Sequence, residues 1–315
     1  MRNVLAIDLG GTKCSAAVVD RRGRIVSRRM VPVDVSSSLA PVQQILRIAK
    51  ELAAPSKPKD AFAAVAIAVP GLVRPTGTVW APNLPGWVRM PLSARLKHTL
   101  AMPVFVESDR NAAVLGECWR GAAKGKSDVI VLMIGTGIGA GILSGGRIVR
   151  GAHELSGCAG WLTVTREVLP TTRSIGELES LAAGPAIVRA VQQRLRDGGE
   201  GSLSRSDTSQ ITTQEIASAA RRGDQLARDI FARAGRFLGL GIANIVSLFD
   251  PQVVVLGGGM AAAADLYLES LRSAMLERAQ PLAAKRVKLV VSKLRDRANL
   301  LGCARLAWDG SRRGI

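Results

Sequence analysis

Apolar positions along the chain follow two rhythms, short unbroken or alternating runs and longer stretches at helical spacing, and their interleaving predicts an α/β protein. Residues 4–8, 15–19 and 25–29 read as three short strands joined by tight turns, followed by a helical stretch from Ser38 to about Ala53. Val65–Val69 reads as a strand, Pro91–Leu100 as a helix and Pro103–Ser108 as a strand, which completes a first unit. Asp128–Val149 then repeats the opening order of apolar strand, glycine-rich turn, second strand, Gly-Gly turn and third strand. Such a repeat predicts a duplicated fold with a nucleotide between its halves. From Ile211 the pattern is mainly helical, with a long apolar periodicity from Asp224 to Phe249 that stops at Asp250 and Pro251. Further strands are predicted at Val253–Leu256 and Val287–Val291, and Gly198–Gln210 reads as a flexible surface loop.

Composition narrows the class. The 315 residues suit about two domains, and with 47% hydrophobic but only 3% aromatic residues the cores must rest on Ala, Val, Leu and Ile. That favours a helix-rich α/β enzyme over a stacking platform for single-stranded nucleic acid, which needs aromatic faces. The formal charge of +18 and pI near 11.0 are spread over short basic clusters such as RRGRIVSRR and AKGK, with no continuous basic helix. A solvated arginine-rich surface is therefore expected in preference to a polyanion site. The four cysteines are far apart with no CxxC pair and no signal-like segment opens the chain, so reducing cytoplasm is the expected compartment. The most apolar run, Ala61–Val73, is too short to span a bilayer and contains Pro70, so no membrane role is expected.

Candidate chemistry begins at the first turn. Asp8, Gly10, Gly11, Thr12 and Lys13 gather a metal-facing carboxylate, bare backbone amides, a hydroxyl and a cation, a set suited to a nucleotide phosphate. Ile134–Gly141 carries a second glycine turn, with Thr136 and Gly137 at its tip. A dinucleotide fingerprint would need a helix after that turn, whereas this sequence continues as strand. Gly121–Ser127 resembles a P-loop but is one residue short and leads into a strand. Gly257, Gly258 and Gly259 follow a buried strand, where they either let an adenosine moiety lie against the backbone or simply start a helix. Asp109 stands where a strand enters a helix, and there it is either an N-cap or a base able to take a proton from a hydroxyl attacking a γ-phosphate.

Taken together, LAIDLGGTK, VPGLV, APNLPGW, ESDRNAAVLGE, IGTGIGAG, GELESLAAGPAI, FDPQVVVLGGG and ANLLGCARLA resemble the ROK family of repressors and sugar kinases across nearly the whole chain. The resemblance implies two RNase H-like domains of the actin-like ATPase group around a cleft, divided as residues 1–117 plus 298–315 and residues 118–297. It implies transfer of phosphate from Mg-ATP to a hexose 6-hydroxyl, with Asp109 as base, Asp8 organising the metal-bound phosphates, and dimers. Repressors of the family carry a helix-turn-helix segment ahead of the first turn. Only three residues precede Val4 here, so a DNA-binding regulator is not expected.

Departures from the family pattern cluster in the sugar pocket. Gly71 and Asn83 match positions that approach the sugar, and Glu179 and Asp109 are kept. Ser108, Cys158 and Trp161 stand where the family usually has Asn, Glu and His. Trp161 either packs against an apolar sugar face or fills the space of the missing His. Pro170, Thr172, Glu177 and Trp161 occupy the places of the structural zinc ligands, so no zinc site is expected. The implied activity is a hexose kinase with relaxed sugar recognition; the alternative is a non-catalytic sugar or nucleotide sensor.

Overall fold

A computed structural model describes residues 2–166, 172–205 and 210–313. The first half opens with β1 (Asn3–Leu9), β2 (Lys13–Val19) and β3 (Ile25–Pro32), then α1 (Ala40–Ala53), α2 (Pro58–Ala61) and β4 (Phe62–Val69). A small ribbon of β5 (Leu72–Val73) and β6 (Val79–Trp80) precedes α3 (Leu92–Leu100), β7 (Val104–Ser108) and α4 (Asp109–Arg120). The second half runs through β8 (Val129–Ile134), β9 (Ile138–Ser144) and β10 (Arg147–Ile148) to helices α5 (Thr172–Ile175), α6 (Glu177–Ala182), α7 (Gly184–Arg196), α8 (Thr213–Arg221) and α9 (Gln225–Phe249). It closes with β11 (Val253–Gly257), α10 (Leu268–Arg278), α11 (Pro281–Arg286), β12 (Lys288–Val291) and α12 (Ala298–Arg313).

The duplication expected from the sequence is present in the sheets. One has the order β3-β2-β1-β4-β7 and the other β10-β9-β8-β11-β12. In each, the first strand of the unit pairs antiparallel with the next and parallel with a strand that returns after helices. The pattern is therefore the same fold written twice. Within Gly198–Gln210, Ser202–Arg205 form a short 3-10 turn, and residues 206–209 lie outside the described set.

Strand β4 shows how composition sets the layers. Its alternation puts Ala64, Ala66 and Ala68 on one face and Val65, Ile67 and Val69 on the other. The large residues pack with α1 and α3, whereas the alanines leave room for α12 to lie close against the sheet. Helix α4 sits beside α12 and also packs on β8 and β9, so this helix pair forms the layer between the two sheets. Two glycines bring the helices together: a Cβ on Gly116 would stand 2.1 Å from the Ala298 carbonyl oxygen, and one on Gly302 1.7 Å from that of Ala112. No side chain fits at either crossing point. Helix α9 is apolar enough by composition to cross a membrane, but 61% of its most apolar window is buried inside the protein against its neighbours.

Candidate functional site

The first turn is closed by the Gly10 amide, which donates to the Lys13 carbonyl at 2.9 Å and leaves Gly11, Thr12 and Lys13 exposed at its tip. Asn83 stands beside it, since a Cβ on Gly11 would come within 3.6 Å of the Asn83 Cβ. Gly71 has a different physical reason to be glycine. Its φ of +103° and the Trp80 carbonyl oxygen, 2.2 Å from where a Cβ would be, forbid any side chain.

Asp8 lies at the end of β1, where its Oδ1 accepts a hydrogen bond from Asn299 Nδ2 at 3.0 Å. Burial raises its pKa to about 6; the Asn299 bond and Lys13 oppose the rise, and the negative charges of Asp109 and Asp296 add to it. Asp296 is itself held below the ordinary carboxylate value, chiefly by a hydrogen bond from Arg28, whose guanidinium approaches to 2.7 Å. Three carboxylates and a lysine from segments far apart in sequence thus share one electrostatic field.

Asp109 is the first residue of α4. Ser108 holds the N-cap position, so the N-cap role weighed from the sequence does not belong to Asp109. The Asp109 carboxylate accepts from the Arg110 amide at 2.8 Å. Part of the residue reaches the surface, but dense surrounding protein desolvates the carboxyl and raises its pKa, against the lowering by the Arg110 amide and charge. The value therefore moves towards that of a useful proton acceptor.

The second glycine turn spans residues 135–137 between β8 and β9, and Thr136 is exposed at its tip. The triple glycine abuts it: a Cβ on Gly135 would lie 3.8 Å from the Gly259 amide nitrogen. Gly257 is buried behind the turn. Gly258, with φ of +79°, would drive a Cβ to 2.3 Å from the Ile134 carbonyl oxygen, whereas Gly259 faces open space and begins a 3-10 helix at 259–266. Both sequence readings of this triplet are compatible with that geometry: a helix starts there, and its first residue is bare and exposed.

Glu179 connects this turn to the remaining pocket residues. Its Oε2 accepts from the Ile138 amide at 2.7 Å, and desolvation raises its pKa. The same oxygen would lie 2.9 Å from a Cβ on Gly160, next to Trp161. Trp161 is 55% exposed, so it does not fill a core space, and its ring is free to meet a ligand. Cys158 receives a hydrogen bond from Arg110 Nη1 at 3.7 Å, which joins this patch to the residue after Asp109. Glu177 has a structural duty: its buried carboxylate accepts from the Val164 and Thr165 amides, each at 2.6 Å, and from the Thr165 hydroxyl. Pro170 and the Thr172 side chain lie outside the described set. Among the described residues, no group of three or more His, Cys, Asp or Glu side chains could hold a metal ion.

A cavity of about 450 Å3 lies beside β7, lined by Glu107, Arg150, Glu154, Arg74 and Lys97 among others, and includes neither Asp8 nor Asp109. It adjoins the cluster just described, since Glu107 bonds the Ser108 amide and the Glu154 carbonyl accepts from Arg110.

Residues 4–309 match the model of the ROK family. The chain belongs to that family. It is 30% identical over 311 residues to the xylose repressor of Caldicellulosiruptor bescii, covering 96% of this chain and 77% of the repressor. It is 32% identical over 323 residues to the glucokinase of Streptomyces coelicolor, with 97% of each covered. A crystal structure of a ROK family glucokinase from Streptomyces griseus in complex with glucose and AMPPNP superposes with a TM-score of 0.83 at 32% identity, covering 98% of this chain and 100% of that one. The ROK chain accordingly has the actin-like ATPase fold, two α/β lobes around a cleft. Sequence reading had placed the turns and Asp109, but missed Asn299, Asp296, Arg28 and Arg110. Only Arg110 had a local signal, a cation beside the candidate base within ESDRNAAVLGE.

Proposed function

We propose that the protein is an ATP-dependent sugar kinase that phosphorylates the 6-hydroxyl of a hexose-type acceptor. The observation that carries this reading is the convergence of Asp8, Lys13, Asn299 and Asp109 on one field, with exposed glycine turns from both lobes. With the Gly10 amide closing the turn, the Gly11 amide, the Thr12 hydroxyl and Lys13 would cradle the phosphates of Mg-ATP, with Asp8 placed to hold its metal. Thr136, Gly137, Gly258 and Gly259 receive the rest of the nucleotide, and Gly257, buried behind the turn, supports them. The acceptor lies among Gly71, Asn83, Ser108, Cys158, Trp161 and Glu179. Its hydroxyl oxygen bonds to the γ-phosphorus as the bond to the β,γ-bridging oxygen breaks; ADP leaves and the hydroxyl proton passes to Asp109. Lobe closure excludes water, the competing acceptor.

The same reading assigns residues 1–117 plus 298–315 to one lobe and 118–297 to the other, supported by the packing of α12 on β1 and β4. It places the protein in the cytoplasm as a homodimer. Four unpaired cysteines suit a reducing compartment, and exposed Leu248, Leu276 and Leu282 on mutually packed helices suit a second copy.

A second reading, sugar or nucleotide sensing without turnover, is favoured by the likeness to the xylose repressor. ADP release measured with Mg-ATP and a panel of hexoses, N-acetylhexosamines and fructose separates the two. Sugar-dependent turnover supports the kinase; nucleotide binding with none supports the sensor.

A further inference from the structure

Among the described residues, three buried side-chain polar atoms lack any hydrogen-bond partner: Ser108 Oγ, Arg110 Nε and Asn299 Oδ1. All belong to the proposed site, and two flank Asp109. Buried polar atoms are rarely left unpaired, so such a concentration points to groups that a ligand completes.

Arg110 stands out. Its guanidinium gives Nη1 to the Cys158 sulfur at 3.7 Å and Nη2 to the Glu154 carbonyl at 3.2 Å. A thiol is a weak acceptor and a carbonyl carries no charge. Among the described residues, no carboxylate lies within ion-pairing distance of this guanidinium, whereas Arg150 close by is paired with Glu107 at 2.6 Å and approaches Glu154 to 3.9 Å. The side chain reaches from α4 across Gly139 to the 157–158 segment, where its Cδ stands 3.9 Å from a Cβ position on Gly139. A guanidinium whose donors are only weakly engaged, beside the candidate base, is fitted to a planar or tetrahedral oxyanion.

We propose that the acceptor carries an oxyanion, which Arg110 holds while the primary hydroxyl meets Asp109. The substrate class is a six-carbon sugar acid or sugar 1-phosphate with a free 6-hydroxyl, in preference to a neutral hexose. Ser108 Oγ, 3% exposed as a residue and unpartnered, supplies a further hydrogen-bonding group beside Asp109. This rests on the kinase reading for the hydroxyl and on Arg110 alone for the charge.

The test compares glucose, gluconate and glucose 1-phosphate on the full chain, with ADP release and calorimetry in parallel. A kcat/KM for gluconate or glucose 1-phosphate at least about tenfold above that for glucose is expected, the scale of a charge-assisted hydrogen bond. Which of the two leads distinguishes carboxylate from phosphate. Arg110→Gln should remove the preference through KM, Arg110→Lys should retain part of it, and Cys158→Glu, which gives the guanidinium a counter-ion, should turn the preference towards glucose. Equal or better use of glucose by the unmodified chain overturns the oxyanion site and leaves the kinase standing. If no acceptor is phosphorylated although nucleotide binds, the kinase reading fails, and calorimetry decides the site: oxyanion binding lost in Arg110→Gln upholds it, and no oxyanion binding overturns it.

Discussion

Asn299, at the start of the last helix, donates its side-chain amide to Asp8 at the end of the first strand, 3.0 Å away across 291 residues of sequence. The bond favours the ionised carboxylate, while burial and the charges of Asp109 and Asp296 favour the protonated one. Protonation wins below about 6.

Binding of Mg-ATP should therefore weaken as pH falls through about 6, because a protonated Asp8 cannot face a cation. Affinity measured from pH 5 to 8 should approach a loss of about tenfold per unit at the acid end. Asn299→Ala removes a lowering contact and should shift the midpoint upwards; Asp8→Asn should abolish this dependence. The stability of the free protein has the opposite sign. Between the ordinary aspartate value of 3.8 and about 6 the folded chain holds a proton that the unfolded chain has released. The Asp8 contribution to stability is thus greatest at low pH and declines as pH rises across that window.

Asp109→Asn keeps the shape and removes the proton acceptor. Turnover should fall about 100-fold to 10,000-fold with nucleotide affinity little changed, as measured by ADP release and calorimetry. Because burial raises the pKa of this carboxyl above its ordinary value, the acid limb of the kcat profile should lie above the ordinary carboxylate range. An undiminished rate in the variant would exclude Asp109 as the base.

Much of this site was legible because its parts are local. Gly10 to Lys13 and residues 135–137 form turns between adjacent antiparallel strands, and such turns are written in consecutive residues. Asp109 was readable for the same reason, as the junction between β7 and α4. The duplicated sheets were readable because each half repeats strand, turn and strand in order. Asn299 was not: it meets Asp8 only because α12 packs against β1 and β4, and no pattern within the last helix announces what lies against its first turn. Trp161 was ambiguous because a tryptophan in sequence carries no sign of its 55% exposure.

Glu177 stands where the family resemblance implies a zinc ligand. Its carboxylate gathers two backbone amides and a hydroxyl and ties residues 164–165 to the start of α6. Glu177→Ala would leave those donors unpaired at a cost of about 2 kcal/mol or more, lowering Tm by several degrees in thermal unfolding. Glu177→Gln, which keeps an acceptor oxygen, should lose less. A chelator should leave Tm of the unmodified protein unchanged, since carboxylate bonds perform the fastening here.

The Glu107–Arg150 pair makes the orientation of Asp109 depend on both sheets. Glu107 is on β7, two residues before Asp109; its carboxylate accepts from the Ser108 amide at 2.9 Å, from Asn111 Nδ2 at 3.0 Å and from Arg150, which follows β10, at 2.6 Å. One buried carboxylate thus fixes the start of α4 and joins it to the other lobe. Arg150→Met would leave that charge with amide donors alone. Since the Arg150 side chain is 39% exposed, solvent screens part of the loss, and a coupling of about 1 to 2 kcal/mol is expected from a double-mutant cycle with Glu107→Gln. Turnover should suffer more than nucleotide affinity, because the disturbed element carries the proposed base while the first glycine turn belongs to a different part of the sheet. Equal losses in kcat and in nucleotide binding would show instead that the pair only holds the lobes together.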